Sequence, residues 1–167
     1  IGTIFDKIKS GTLKYNYSSF LINKLSEITI DIPEDYIVIC PYTSDKRNAN
    51  RDFNAADWKS LIKYLSENKI YGVVLTTGSG NVPANEYLLD YTNRTSISEA
   101  VEILKKSKGY VGIDSCLSVL AAKLFDASRL LIKVVNEHGL KFKDIYWAPH
   151  NKFNFIKRSV DFKGFSL

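Results

Sequence analysis

The sequence predicts an α/β domain built on a parallel sheet covered on both faces. Three observations predict it. Short runs that are nearly all apolar alternate with stretches of helical periodicity. The strand-like runs carry apolar residues on both alternations, as strands buried on both faces do. Gly, Ser, Thr and charged residues concentrate in the loops that leave the carboxyl ends of those runs. The composition agrees: 167 residues, 45% hydrophobic and 25% charged, is ordinary for a globular domain. A chain of this length buries roughly 70% of its unfolded surface and needs neither metal nor disulfide to fold.

The elements follow in order. Residues 13–28 place Leu13, Tyr17, Phe20, Leu21, Leu25 and Ile28 at helical spacing. Such a helix suits the cover of a sheet, a second domain or a second copy of the chain. Pro33 stops it. Tyr36–Cys40 reads as the first buried strand, and the polar stretch 41–53 as a loop. Asn54 is a candidate N-cap for a helix over Ala55–Glu67, striped by Trp58, Leu61, Ile62 and Leu65. Ile70–Leu75 is the second strand, and the loop Thr76-Thr77-Gly78-Ser79-Gly80-Asn81 follows it. Pro83 suggests a short helix reaching Asp90. Ser96 and Glu99 have capping-box spacing, which starts a helix over Ile97–Ser107 striped by Ile97, Ala100, Val101 and Leu104. Tyr110–Ile113 is the next strand. Asp114-Ser115 leads into a helix over Leu117–Phe125, and Leu130–Val135 forms the last strand. Residues 136–167 read as aromatic and irregular.

Charge, cysteine and histidine usage narrow the function. The net charge is +5, and residues 129–167 hold eight basic side chains against three acidic ones. A scattered basic tail faces solvent, phosphates or the surface of an anionic membrane, to which it offers peripheral contact. No zinc-ligand spacing or RNP-like pattern supports nucleic-acid binding. No apolar run approaches the roughly 18 residues of a membrane span, and without a basic-then-apolar leader in the sequence, secretion is not expected. The chain begins at Ile1 and contains no Met, so a preceding segment is expected. Cys40 and Cys116 form no CxxC, and two reduced thiols are expected. They lie near each other if the strands ending at Cys40 and Ile113 are neighbours. His138 and His150 sit in no metal or nucleophile motif, and no metal site is expected.

In parallel sheets of this kind ligands bind at the carboxyl ends of the strands. Three loops leave that edge: 41–53, 76–84 and 114–117. The first offers Thr43, Ser44, Lys46, Arg47 and Arg51, hydroxyls and cations that suit a diphosphate. Gly78-Ser79-Gly80 allows close backbone approach, or is a plain tight turn. Gly112-Ile113-Asp114-Ser115-Cys116-Leu117 turns from strand to helix, where unpaired amides and the helix dipole favour an anion. A simple capping Asp-Ser pair is the alternative there.

The stretch from Tyr36 to Val135 resembles the carboxyl-terminal half of glycosyltransferase family 9, the heptosyltransferase-like enzymes. Ile39-Cys40-Pro41-Tyr42-Thr43-Ser44 is similar to that family's strand and His-Pro-Gly-Ala-Ser-type loop. Arg51-Asp52-Phe53-Asn54 stands where the family has Lys-x-Trp-Pro. Val73-Val74-Leu75-Thr76-Thr77-Gly78 and Thr95-Ser96-Ile97-Ser98-Glu99 resemble its second strand with Gly-rich turn and its Thr-Ser-Leu-x-Glu helix start. The most specific block, Val111-Gly112-Ile113-Asp114-Ser115-Cys116-Leu117-Ser118-Val119-Leu120-Ala121-Ala122, resembles Val-Gly-x-Asp-Ser-Gly-x-x-His-Leu-Ala-Ala.

The resemblance implies a Rossmann-like three-layer domain, one half of a GT-B architecture, that binds a nucleotide-diphosphate-sugar donor. The implied reaction is metal-independent, cofactor-free hexosyl or heptosyl transfer to a glycan or lipid-linked acceptor, as in lipopolysaccharide or polysaccharide biosynthesis, in the cytoplasm. It implies donor contacts from Thr43, Ser44 and Arg51, from Thr77 and Gly78 near the nucleoside, and from Asp114, Ser115, Cys116 and Leu117. The general base belongs to an amino-terminal domain, so no catalytic residue is assigned here and this chain alone is expected to be inactive. The expected division is a helical segment or linker at 1–32, the nucleotide-sugar-binding domain at 33–150 and a tail at 151–167. The expected protein partner is an amino-terminal domain or a second copy. This chain departs from the family at Cys116 (Gly), Val119 and Cys40 (His) and Arg51 (Lys). Those changes suit an alternative, a non-catalytic nucleotide- or glycan-binding module that keeps the fold without turnover.

Overall fold

The apolar run Tyr36–Cys40 forms the central strand, β1, with every residue buried. The computed structural model describes residues 31–44, 50–78, 80–134, 154–156 and 160–167. The helix expected over 13–28 lies outside them. Five further strands join β1: β2 (Tyr71–Val74), β3 (Leu88–Asp90), β4 (Tyr110–Ile113), β5 (Leu130–Lys133) and β6 (Asn154–Ile156). The sheet order is β3-β2-β1-β4-β5-β6, and all five pairings are parallel. This is the doubly wound order of a Rossmann-like sheet. The register places Cys40 beside Gly112, so β1 and β4 are neighbours, as the closeness of the two thiols required. Both cysteines are free, Cys40 buried and Cys116 exposed.

Alternation along the strands sorts the core into two layers. Tyr36, Val38, Val73, Tyr110, Leu130 and Ile132 face one side, where helices α2 (Ile97–Lys106) and α3 (Cys116–Leu124) pack through Ile103, Leu104, Ala121 and Ala122. Ile37, Ile39, Val74, Val111, Ile113 and Leu131 face the other, against Trp58, Leu61 and Leu65 of helix α1 (Ala55–Asn68). Each fully buried aliphatic side chain contributes about 1.5–3 kcal/mol. The result is the three-layer α/β domain expected from the sequence.

Helix boundaries have local causes. Asn54 caps α1: its side chain accepts from Ala56 N (2.8 Å) and Asp57 N (3.1 Å), and Asp57 accepts from Asn54 N (2.8 Å). Ser96 and Glu99 form the expected capping box on α2. Ile97, counted in that helix's apolar stripe, is 82% exposed: it occupies the first turn, ahead of the part of the helix that meets the sheet. Ser115, rather than Asp114, caps α3, in a box with Ser118.

Two expectations are corrected. Residues 83–90 form no helix: Leu88–Asp90 is edge strand β3, pairing Gly72, Val73 and Val74. Within 136–167, read as irregular, Asn154–Ile156 is a strand paired with Leu131–Lys133. Residues 160–167 return across α1. Phe162 stacks on Tyr64 (centroids 4.1 Å, planes 8° apart), Phe165 meets both edge-on at 5.5 Å, and Ser166 N donates to Ser128 O. No helix among the described residues is long and apolar enough to cross a membrane.

Candidate functional site

The chain leaves β1 toward α1 on one face and leaves β4 toward α3 on the other. The carboxyl ends of these adjacent strands therefore frame the crevice where doubly wound sheets bind ligands. Gly112 lets them come close there: a Cβ on it would lie 2.7 Å from the Cys40 carbonyl oxygen and 2.6 Å from the Tyr110 hydroxyl.

The first loop is anchored at both ends. Phe53 N donates to Pro41 O (2.9 Å), and Thr43 N to Asp52 Oδ1 (2.7 Å). Buried Tyr42 donates its hydroxyl to Asn81 O and accepts from Trp58 Nε1 (2.9 Å). Thr76 Oγ1 donates to Tyr42 O (3.0 Å), tying the loop after β2 to the loop after β1. Gly78 has φ +123°, and a Cβ on it would sit 3.3 Å from Thr43 O and 3.7 Å from Ser44 Cα. The expected glycine is thus required by both conformation and close approach. Its own amide and carbonyl are occupied: Gly78 N donates to Asn93 Oδ1 (3.0 Å) and Asn93 Nδ2 to Gly78 O (2.9 Å). Exposed Thr77 lies beside it.

Across the crevice, Arg51 Nη1 donates to Asp114 O (3.4 Å) and lies 3.9 Å from Asp114 Oδ2. The Arg51 Nε is buried and has no acceptor among the described residues. Burial raises the Asp114 pKa, and the guanidinium partly opposes that. At the start of α3, Ser115 N donates to Ser118 Oγ (2.8 Å), so the capping box takes that amide. The amides of Cys116 and Leu117 have no acceptor among the described residues and carry the positive end of the helix dipole. Beneath them, Ser115 Oγ lies 3.3 Å from the Tyr110 hydroxyl and 3.7 Å from Cys40 Sγ. Burial pushes the Cys40 thiol up to about 11, against the lowering by Ser115 and Tyr110, so it is a neutral thiol at pH 7.

The structure therefore brings Thr43, Ser44, Thr77 and Gly78 together on one side, and Arg51, Asp114, Ser115, Cys116 and Leu117 on the other. Lys46, Arg47, His138 and His150 lie outside the described residues. Among the described residues, no group of three His, Cys, Asp or Glu could hold a metal ion. Four residues at this edge were not foreseen: Asp52, Asp57, Asn93 and Lys133. Lys133 had a signal, a lone cation inside the apolar run Leu130–Val135. Lys133 Nζ lies 2.6 Å from Asp57 Oδ2, and the side chains are 4% and 0% exposed.

Glycosyltransferase family 9 (heptosyltransferase) matches residues 14–126, a span that holds β1 through α3 and all nine of the expected site residues. No curated protein and no solved structure matches the chain significantly.

Proposed function

Because the chain belongs to glycosyltransferase family 9, we propose that it is the donor-binding half of a two-domain GT-B enzyme. In this reading the crevice between β1 and β4 takes a nucleotide-diphosphate sugar, and the sugar passes to a glycan or lipid-linked glycan acceptor. One observation supports the reading: Arg51 reaches from the loop after β1 to the start of α3, with its Nε buried and without an acceptor among the described residues. A guanidinium with a spare donor, near two helix amides that have no acceptor among the described residues, fits a diphosphate.

As the glycosidic bond breaks, negative charge grows on the leaving diphosphate. Arg51 and the amides of Cys116 and Leu117 would stabilise that charge without reorganising. Thr43 and Ser44 would bind phosphate oxygens, and the Thr77–Gly78 turn would border the nucleoside. In this mechanism protein cations and the helix dipole do the work of charge neutralisation. The base that activates the acceptor comes from another domain or another copy, and residues 33–150 form the centre of the binding unit. The proposed setting is the cytoplasm, with the basic tail toward the membrane surface.

A second reading, a binding module without turnover, is favoured by Cys116 and Val119. They stand where the family's pattern has Gly and His.

A thermal-shift screen with ADP-, UDP-, GDP- and CMP-sugars and the free nucleotides tests the donor site. Ligand at about 100 times Kd stabilises by roughly 2.7 kcal/mol, a shift of about 5–10 °C in a domain of this size. A selective shift lost in Arg51→Ala supports the site, and no shift with any ligand overturns it. Sugar transfer by the full protein separates the enzyme from the module.

A further inference from the structure

The strand pattern reserves the position of Lys133 for the core. Leu131, two residues earlier on β5, faces α1 with Val111 and Ile113, and Lys133 points the same way. An ammonium there loses its hydration, and a packed apolar side chain would cost less. Stability alone therefore gives no reason for a lysine. Its contacts do. Lys133 Nζ donates to Asp57 Oδ2 (2.6 Å) and to the carbonyl of Asp52 (2.7 Å), and lies 5.8 Å from the centre of the Phe53 ring. Asp57 also accepts from Asn54 N (2.8 Å) and Val160 N (2.7 Å).

Residues 52–54 are thus held at three successive points: Asp52 O by Lys133, Phe53 N by Pro41 O, and Asn54 N by Asp57. Arg51 precedes this segment directly, and the Asp52 carboxylate holds the amide of Thr43. The cation and the hydroxyl loop that face the crevice both hang from it.

We propose that Lys133 is a positioning residue of the diphosphate site. By fixing the Asp52 carbonyl it sets the reach of Arg51 toward α3 and the place of Thr43, while Asp57 supplies the charge that lets it be buried. This rests on the donor-site reading above. It differs from a purely structural role in one respect: its loss weakens binding of the diphosphate and spares that of the nucleoside.

The test compares two neutral replacements of the pair. Lys133→Met with Asp57→Asn leaves no buried charge and no donor to the Asp52 carbonyl. Lys133→Gln with Asp57→Asn has similar size and keeps a donor. Calorimetric titration uses ADP, GDP, UDP and CDP and the matching nucleosides. The Met variant is expected to bind the preferred diphosphate about tenfold more weakly than the wild type. Its nucleoside affinity stays within about twofold, and the Gln variant recovers most of the loss. Equal diphosphate affinity in both variants and the wild type overturns the proposal, and so does an equal loss for nucleoside and diphosphate. A wild-type chain that binds none of the nucleotides overturns the donor-site reading, and this proposal with it. Hydrogen exchange reads the positioning without ligand: the Thr43 and Phe53 amides exchange faster in the Met variant than in the Gln variant, and equal rates in the two overturn the proposal.

Discussion

The loops after β1 and β2 meet at one edge of the sheet, yet different forces hold them. Neutral groups fix the loop after β2. Asn93, at φ 56°, exchanges two hydrogen bonds with Gly78 and donates its own amide to Thr76 O (3.0 Å). Charges dominate around the loop after β1: Arg51 against Asp114, Asp52 on the Thr43 amide, and Lys133 with Asp57 beneath. In the donor site proposed above, the difference would suit the two ends of a nucleotide. A nucleoside needs shape and neutral hydrogen bonds, whereas a diphosphate needs cations held in place before it arrives.

Three substitutions would break or sharpen this contrast. Asp57→Ala strikes the buried charge and has the largest expected effect. It leaves the Lys133 ammonium buried without its counter-ion and removes the acceptor of Asn54 N and Val160 N. Urea unfolding should show a loss of about 3–5 kcal/mol. A loss below about 1 kcal/mol would mean that water reaches the pair and that it behaves as a surface contact.

Asn93→Ala strikes the neutral side. It removes two exposed hydrogen bonds and places Ala at a left-handed backbone position, for about 1–2 kcal/mol together. No charge is involved, so the loss should be the same at low and high salt. A loss that shrinks with salt would contradict the neutral account.

Asp114→Asn has the smallest effect and shows in pH dependence. Burial raises the pKa of Asp114 in the folded state, with Arg51 opposing. The unfolded chain therefore releases this proton first as pH rises. The stability linked to the protonated form is complete below the ordinary carboxylate range and is lost as pH climbs through the raised folded pKa. Asp114→Asn should flatten that fall in urea-unfolding stability across the window. An unchanged slope would place the effect elsewhere, with Asp52, raised mainly by burial, the next group to substitute.

The parts of the fold legible in the sequence were those with a strong local signal. Tyr36–Cys40 and Tyr110–Ile113 are dense, branched or aromatic runs buried on both faces, and Asn54 and Ser96 mark helix starts by chemistry confined to one turn. The strand Leu88–Asp90 was not legible. It has three residues, lies at an edge and is only half-buried, so Pro83 outweighed it as a helix signal. The strand Asn154–Ile156 is equally short and is defined by its pairing with β5, a contact no local pattern encodes. The site divides the same way. Thr43, Ser44, Arg51 and the Asp114–Leu117 turn could be nominated as candidates because loop position and residue type coincide, and their binding roles are proposals. Asn93, Lys133 and the long-range contacts of Asp57 involve partners 15 to 103 residues away. One of those partnerships makes Lys133 both a member of an apolar strand and a cation.

The hydrogen bond from Trp58 to Tyr42 has a practical consequence. Tyr42 in turn contacts Asn81, so the indole is wired into both loops that border the crevice. The chain has two tryptophans, and the other is Trp147. With Trp147→Phe, the emission of the single remaining indole becomes an optical gauge of those loops. It reports any change in their packing when a ligand is added, with no label attached.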